Sequence, residues 1–231
     1  MLRIERILSN RGYCTRSQAD DFLHDHVVTH KGVRLARSGV QVDPQELLMD
    51  GNPLDPETLY VVFNKPAGYI CSHGDAGPVQ APLVYDLLPE RWTLRNPVVT
   101  TVGRLDKDTT GLLLLSDDGT WVHRLTSPKH HVPRVYVATV EKPLDASLVA
   151  TFASGTMLLK DDHRPLLPAQ LEITGECECK VTVHEGRYHQ VRRMFALVGN
   201  HCMSLARTHY GKLELTDLAE GKFRFVSKSD V

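Results

Sequence analysis

GRLDKDTTGLLLL, residues 103–115, sets a polar turn with carboxylates at Asp106 and Asp108 between two apolar runs, with glycines at both ends. Taken alone, Asp and Thr between strands most simply close Asx or Ser/Thr turns. Working outward, 98–102 and 112–116 have strand character, as do 59–63, 134–140, 169–174, 178–184 and 223–226. Helical spacing marks 120–126, 145–154 and 190–198, the last with Val191, Met194, Phe195 and Val198 on one face and Gly199-Asn200 as its stop. Strands do not alternate regularly with crossover helices. The expectation is therefore an α+β domain whose sheet is mixed but mostly antiparallel and flanked by helices, not a doubly wound one.

The first sixty residues form a separate pattern. Ile4, Ile7 and Leu8 have helical spacing before Gly12, and Thr15 with Gln18 gives the T-x-x-Q capping pattern of a second helix bearing Ala19, Phe22 and Leu23. A β-rich stretch follows: 27–30, a Lys31-Gly32 turn, 33–36, then 47–54 bent at Asp50-Gly51. Pro53 and Pro56 in acidic surroundings mark a linker, so the expected domains are 1–58 and 59–231.

Lys plus Arg number 27 and Asp plus Glu 28, a net charge of −1 that argues against a uniformly basic nucleic-acid binder. Distribution changes that reading. Residues 1–40 hold seven basic side chains against four acidic, 41–60 hold five acidic and none basic, and 119–140 hold only Arg124, Lys129 and Arg134. Residues 180–212 hold six basic side chains and four histidines against Glu185 alone. Positive blocks joined by acidic connectors fit a protein with one face toward a polyanion. Arg3, Glu5 and Arg6 interrupt any apolar signal core, and no apolar run approaches the roughly 20 residues that span a bilayer. Five scattered cysteines do not form a disulfide framework. A soluble, cytoplasmic protein without membrane association is expected.

The Asp106 turn has company: FNKPAGYICS at 63–72, RVY at 134–136 and EGRYHQVRRM at 185–194. In this order the motifs resemble the RsuA family of RNA pseudouridine synthases, and RIER at 3–6 with TRSQA at 15–19 resembles an S4 RNA-binding domain. Together the resemblances cover nearly the whole chain. Its length and SDDGTWVHRLTSPKHH at 116–131 are most similar to the branch that acts on uridine 516 of 16S ribosomal RNA.

The resemblance implies a pseudouridine synthase fold, a 16S rRNA or small-subunit assembly intermediate as partner, a monomer, and no cofactor or metal. It makes Asp106 the nucleophile or base, Tyr136 the ring that stacks on the target base, and Arg192 the cation that keeps Asp106 ionised; Arg is suited because it stays charged and grips carboxylates bidentately. Arg193, about 100° further round the helix, is left to phosphate or structure. Arg104 fills the gap left by the flipped uridine, and Lys65, Arg187, His189 and Gln190 line the RNA path. In the S4-like module RNA binding falls to Arg16, Ser17, Lys31 and Arg34. The chain departs from the family pattern at His26, where Gly with an open backbone angle is usual, at Lys31, where Asn or Asp is usual, and at His209, where Arg is typical.

Other readings compete on chemistry. Asp106, Asp108, Asp117 and Asp118 could hold Mg²⁺ in a nuclease, but Asp117 and Asp118 precede a Gly and a helix, as a cap would. Cys177 and Cys179 with His184 lack zinc-finger spacing and alternate with Val181 and Val183 along one strand face, which favours core packing. His130-His131, beside Lys129 and Arg124, reads as a basic RNA-facing loop. A non-catalytic ribosome-assembly protein would use the same basic surfaces without needing Asp106.

Overall fold

The computed structural model describes residues 1–72 and 81–231, which divide into two compact units. The first comprises Met1–Leu59 with Tyr85–Thr100 and Ser116–Asp118; the second comprises Tyr60–Val84, Thr101–Leu115 and Gly119–Val231. The first unit therefore extends beyond the continuous 1–58 segment expected from sequence, and polar chemistry explains why. Asp55, almost fully buried, accepts from Arg91 Nε at 2.7 Å, Arg91 Nη2 at 2.9 Å and Trp92 Nε1 at 2.9 Å. Asp117 accepts from the Leu59 amide at 2.8 Å and from Arg95 Nε at 2.8 Å, and Arg95 also donates to the Pro56 and Glu57 carbonyls. These carboxylates draw distant segments into the unit. Asp117 is thus a buried anchor, its carboxylate committed to Arg95 and the Leu59 amide.

Burial alone would raise the pKa of Asp55, but hydrogen bonds from Arg91 and Trp92 outweigh it and hold the carboxyl below its usual value. A depressed folded-state pKa contributes stability that is present above the unfolded value near 4 and is lost as the pH falls through the folded one. Asp55→Asn is expected to cost about 2 kcal/mol at pH 7, with the gap to wild type narrowing below about pH 4. Urea unfolding at pH 7 and pH 3 measures both.

Ile4, Ile7, Leu8, Leu23, Val28, Val42 and Leu47 form the apolar centre of this unit, beneath the helices Ile4–Asn10 and Ala19–Asp25. The Thr15 cap forms, with its amide 3.2 Å from Gln18 Oε1, but the turn it starts, Arg16–Gln18, is 3-10 before α-helix takes over. Lys31 and Gly32 both take positive φ, 51° and 78°, which a two-residue hairpin turn of the right twist requires. His26 differs from expectation: it is extended (φ −116°), its ring lies 4.3 Å from that of Phe22, and its Nδ1 is 3.2 Å from Asp50 Oδ2. Asp50 and Gly51 take positive φ at the hairpin where the 47–54 stretch bends.

In the second unit a sheet runs in the order Gln170–Ile173, Glu178–Val183, Arg134–Val140, Cys202–Tyr210, Thr110–Ser116, Tyr60–Lys65, Phe223–Phe225. Arg134–Val140 pairs antiparallel with both its neighbours, as do Gln170–Ile173 with Glu178–Val183 and Phe223–Phe225 with Tyr60–Lys65, while Cys202–Tyr210 meets Thr110–Ser116 in parallel, so the expected α+β class and mostly antiparallel sheet are found. Thr110–Ser116 is an inner strand buried from Gly111 onward, which accounts for its unbroken leucines. On its flanks Trp121 and Leu125 pack with Leu112 and Leu114, while Phe152 and Phe195 pack with Cys179 and Val181. Burial pushes the Cys179 thiol up to about 11, in keeping with core packing. Among the described residues no helix is long and apolar enough to cross a membrane.

The strand Cys202–Tyr210, absent from the sequence-based reading, occupies the middle of this sheet. Register shifts opposite Val135/Tyr136 and Thr139/Val140 break its two-residue alternation, and the apolar pattern is lost with it. It passes Gly111 closely: a methyl there would lie 2.3 Å from the Arg207 carbonyl oxygen, at a φ of +99° that disfavours any other residue. Gly111→Ala is expected to destabilise the protein by about 3 kcal/mol or more, read as a fall in thermal midpoint.

Candidate active site

The turn at residues 103–109 is held from below. Lys65 is fully buried, and its Nζ donates to the carbonyls of Pro66, Lys107 and Thr109 at 3.0, 3.0 and 2.9 Å. Gly68 donates to the same Lys107 carbonyl at 2.8 Å, and the Thr109 amide closes the turn on Asp106 O at 3.1 Å. Leu105 is buried as a plug. Burial lowers the Lys65 pKa, opposed by the negative charge of Asp108 and Asp106 among its neighbours. Sequence placed Lys65 on an RNA path; instead it is a support for the turn, with no surface to offer a ligand.

Above this turn lies a cleft of about 470 Å³, within the range of small-molecule sites. Asp106, Tyr136, Arg104, Arg187, His189 and Gln190 line it, so six of the expected site residues meet around one cavity. Lys65, Arg192 and Arg193 do not. Arg192 Nη1 donates to the Cys202 carbonyl at 2.9 Å, while Arg193 holds Asp162 at 2.7 Å and the Lys160 and Tyr188 carbonyls. The helix Gln190–Leu197 buries Gln190, Val191, Met194 and Phe195, which turns its two arginines elsewhere. Arg187, though at the cleft, spends its guanidinium on Glu185 at 2.9 Å, Asp162 at 2.8 Å and the Arg164 and Pro165 carbonyls.

Among the described residues two buried arginines line the cleft, Arg134 and, more deeply, Arg207, on the strand that sequence did not reveal. Arg207 Nε donates to Leu112 O at 2.7 Å, its Nη1 lies 3.4 Å from the Tyr136 hydroxyl, and its Nη2 is buried without a partner among the described residues. The guanidinium carbon lies 5.1 Å from the Tyr210 ring centre and 5.9 Å from that of Tyr136, and Arg134 sits 5.0 Å from Tyr210. Cations and rings thus alternate from Arg134 to Tyr136, an arrangement that suits weakly hydrated guanidinium groups. With Arg207 donating to its oxygen, the Tyr136 hydroxyl can direct its own proton into the cleft. The available signal for Arg207 was the RTHYG motif at 207–211, which sequence read only for His209; that ring lies on the same strand, 3.8 Å from Glu214.

Asp106 Oδ1 is 3.3 Å from His189 Nε2, and the His189 ring stacks on Tyr188. Gln190 is buried, its Oε1 accepts the Arg187 amide at 2.9 Å, and its Nε2 has no partner among the described residues. A carboxylate, a phenol and unpaired donors converge on a cavity of nucleotide scale, a set suited to positioning a polar ring and moving protons at it. No three His, Cys, Asp or Glu side chains among the described residues are grouped to hold a metal ion. Arg16, Ser17, Lys31 and Arg34 are all exposed on the first unit.

A family model described as RNA pseudouridylate synthase matches residues 59–197. Over the full chain and 98% of each relative, the sequence is 39% identical to a protein named ribosomal small subunit pseudouridine synthase A from Pasteurella multocida and 36% identical to one of the same name from Escherichia coli K12. A solved structure titled as a pseudouridylate synthase shares 36% identity, with a TM-score of 0.68, over all of this chain and 98% of its own.

Proposed function

The chain belongs to the RNA pseudouridylate synthase family and is an RNA pseudouridine synthase, and from that premise we propose that it isomerises uridine in ribosomal RNA of the small subunit, at uridine 516 of 16S rRNA, with Asp106 as nucleophile or base. The reaction breaks the bond from N1 to C1′, turns the base and joins C5 to C1′; the hydrogen on C5 leaves as a proton and N1 gains one. No electrons are exchanged with another molecule. The observation that carries the reading is the meeting of Asp106 and Tyr136 at one cleft, beside a buried arginine.

In this reading Asp106 acts at the sugar or base from a turn that Lys65 holds rigid. Arg207 replaces Arg192 as the fixed cation of the cleft, where it orients Tyr136, the ring against which the base rests. Arg104, at the cleft, takes the space the uridine leaves in the RNA. The N-terminal unit acts as an S4 module, binding RNA through Arg16, Ser17, Lys31 and Arg34, in a monomer that works in the cytoplasm on an assembly intermediate.

Release of tritium from a small-subunit rRNA transcript carrying [5-³H]uridine tests the chemistry. Turnover by purified enzyme, undiminished by EDTA, is expected. No release would reject the reading, and dependence on metal would reject its cofactor-free form.

A further inference from the structure

We propose that Tyr188, backed by His189, is a stacking platform for an unpaired nucleobase next to the uridine that enters the cleft, an inference that rests on the isomerase reading. Tyr188 is 70% exposed although it lines the cleft. One face of its ring is covered by His189, with centroids 3.8 Å apart and planes 18° from parallel. Its high exposure leaves aromatic surface that no group among the described residues covers.

The turn bearing this ring is rigid. Arg193 Nη1 donates to the Tyr188 carbonyl at 3.2 Å, and the Arg187 amide donates to Gln190 Oε1 at 2.9 Å. Asp162 joins the side chains of Arg187 and Arg193 at 2.8 and 2.7 Å. Such bracing holds an exposed aromatic in one place, which lowers the cost of ordering it around a ligand. His189 ties the platform to the reaction centre through Asp106, 3.3 Å away.

Charge identifies the occupant. Arg187 is neutralised by Asp162 and Glu185, yet among the described residues Arg104, Lys107, Arg134 and Arg207 still outnumber the one remaining carboxylate, Asp106, around the cleft. A polyanion that carries flat rings fits both the charge and the open ring. Any base can stack on tyrosine, so the platform supplies affinity and register without reading sequence.

The probe is a short small-subunit rRNA fragment that wild type turns over, with 2-aminopurine replacing each neighbour of the target uridine in turn. Wild type should quench one flanking position. Tyr188→Ala should lose that quench and weaken RNA binding, measured by fluorescence anisotropy, about tenfold with kcat within about twofold. Tyr188→Trp and Tyr188→Phe should retain both. Unchanged affinity and quench in a Tyr188→Ala variant, with wild type active, would overturn the platform alone. Failure of the Phe variant as complete as that of Ala would also overturn it, because the hydroxyl would then be the contact. Absence of turnover by wild type would reject the isomerase reading and the platform with it.

Discussion

Asp106→Asn is expected to abolish tritium release, with kcat lower by about 10⁴-fold or more, while RNA affinity changes by less than about threefold. The magnitude follows from removing a group that acts directly on the reacting atoms, for which losses of this order are usual. The side chain is partly exposed and its turn is fixed through backbone carbonyls, by Lys65 and Gly68, so the amide should leave the fold intact. A variant that keeps a tenth of wild-type kcat would remove Asp106 from the chemistry.

Arg207→Met carries the second large effect. The guanidinium is buried between tyrosine rings, with one nitrogen unpaired among the described residues. Replacing a buried charge with an apolar chain of similar length removes a desolvation cost as well as the hydrogen bond to Leu112 O, so the net change in stability should be about 2 kcal/mol or less. Catalysis should fall about 100- to 1,000-fold, the range for losing one preorganised donor at a site of charge development. Thermal melting and single-turnover rates on the same preparation separate the two effects. Arg192→Met should lower the rate by less than about tenfold, because that side chain is engaged with Cys202 O away from the cleft.

The contrast between these arginines shows how far the sequence could be read. Both lie in motifs of the family pattern, and the argument that Arg192 and Arg193 must diverge round a helix agrees with their separate partners, Cys202 O and Asp162. That Arg207, and not Arg192, shares the cleft with Asp106 depends on a non-local pairing, Arg207 beside Gly111 and opposite Tyr136, that no local pattern encodes. Bulges that bring Arg207 opposite Tyr136 also erase the alternation that would have revealed its strand. Arg134–Val140, regular in its pairing with Glu178–Val183, was legible to its exact ends.

Lys65 gives a second lesson. A lysine in an Asn-Lys-Pro segment reads as a solvated loop charge, yet it is the last residue of the strand Tyr60–Lys65 and is capped by three carbonyls. Local composition carries no trace of two of those acceptors, the Lys107 and Thr109 carbonyls, which come from a turn some forty residues away. The first unit was legible where interactions are local, as in the Thr15 cap and the Lys31-Gly32 turn, and not where Asp55 and Asp117 recruit Arg91 and Arg95.

The most direct measurement is a nucleotide-resolution map of pseudouridine, by carbodiimide modification and primer extension, on small-subunit assembly intermediates incubated with wild type or with Asp106→Asn. A stop at uridine 516 with wild type and none with the variant is the expected result. Equal stops with both proteins, or none with either, would contradict the assignment of this cleft as the site of uridine isomerisation.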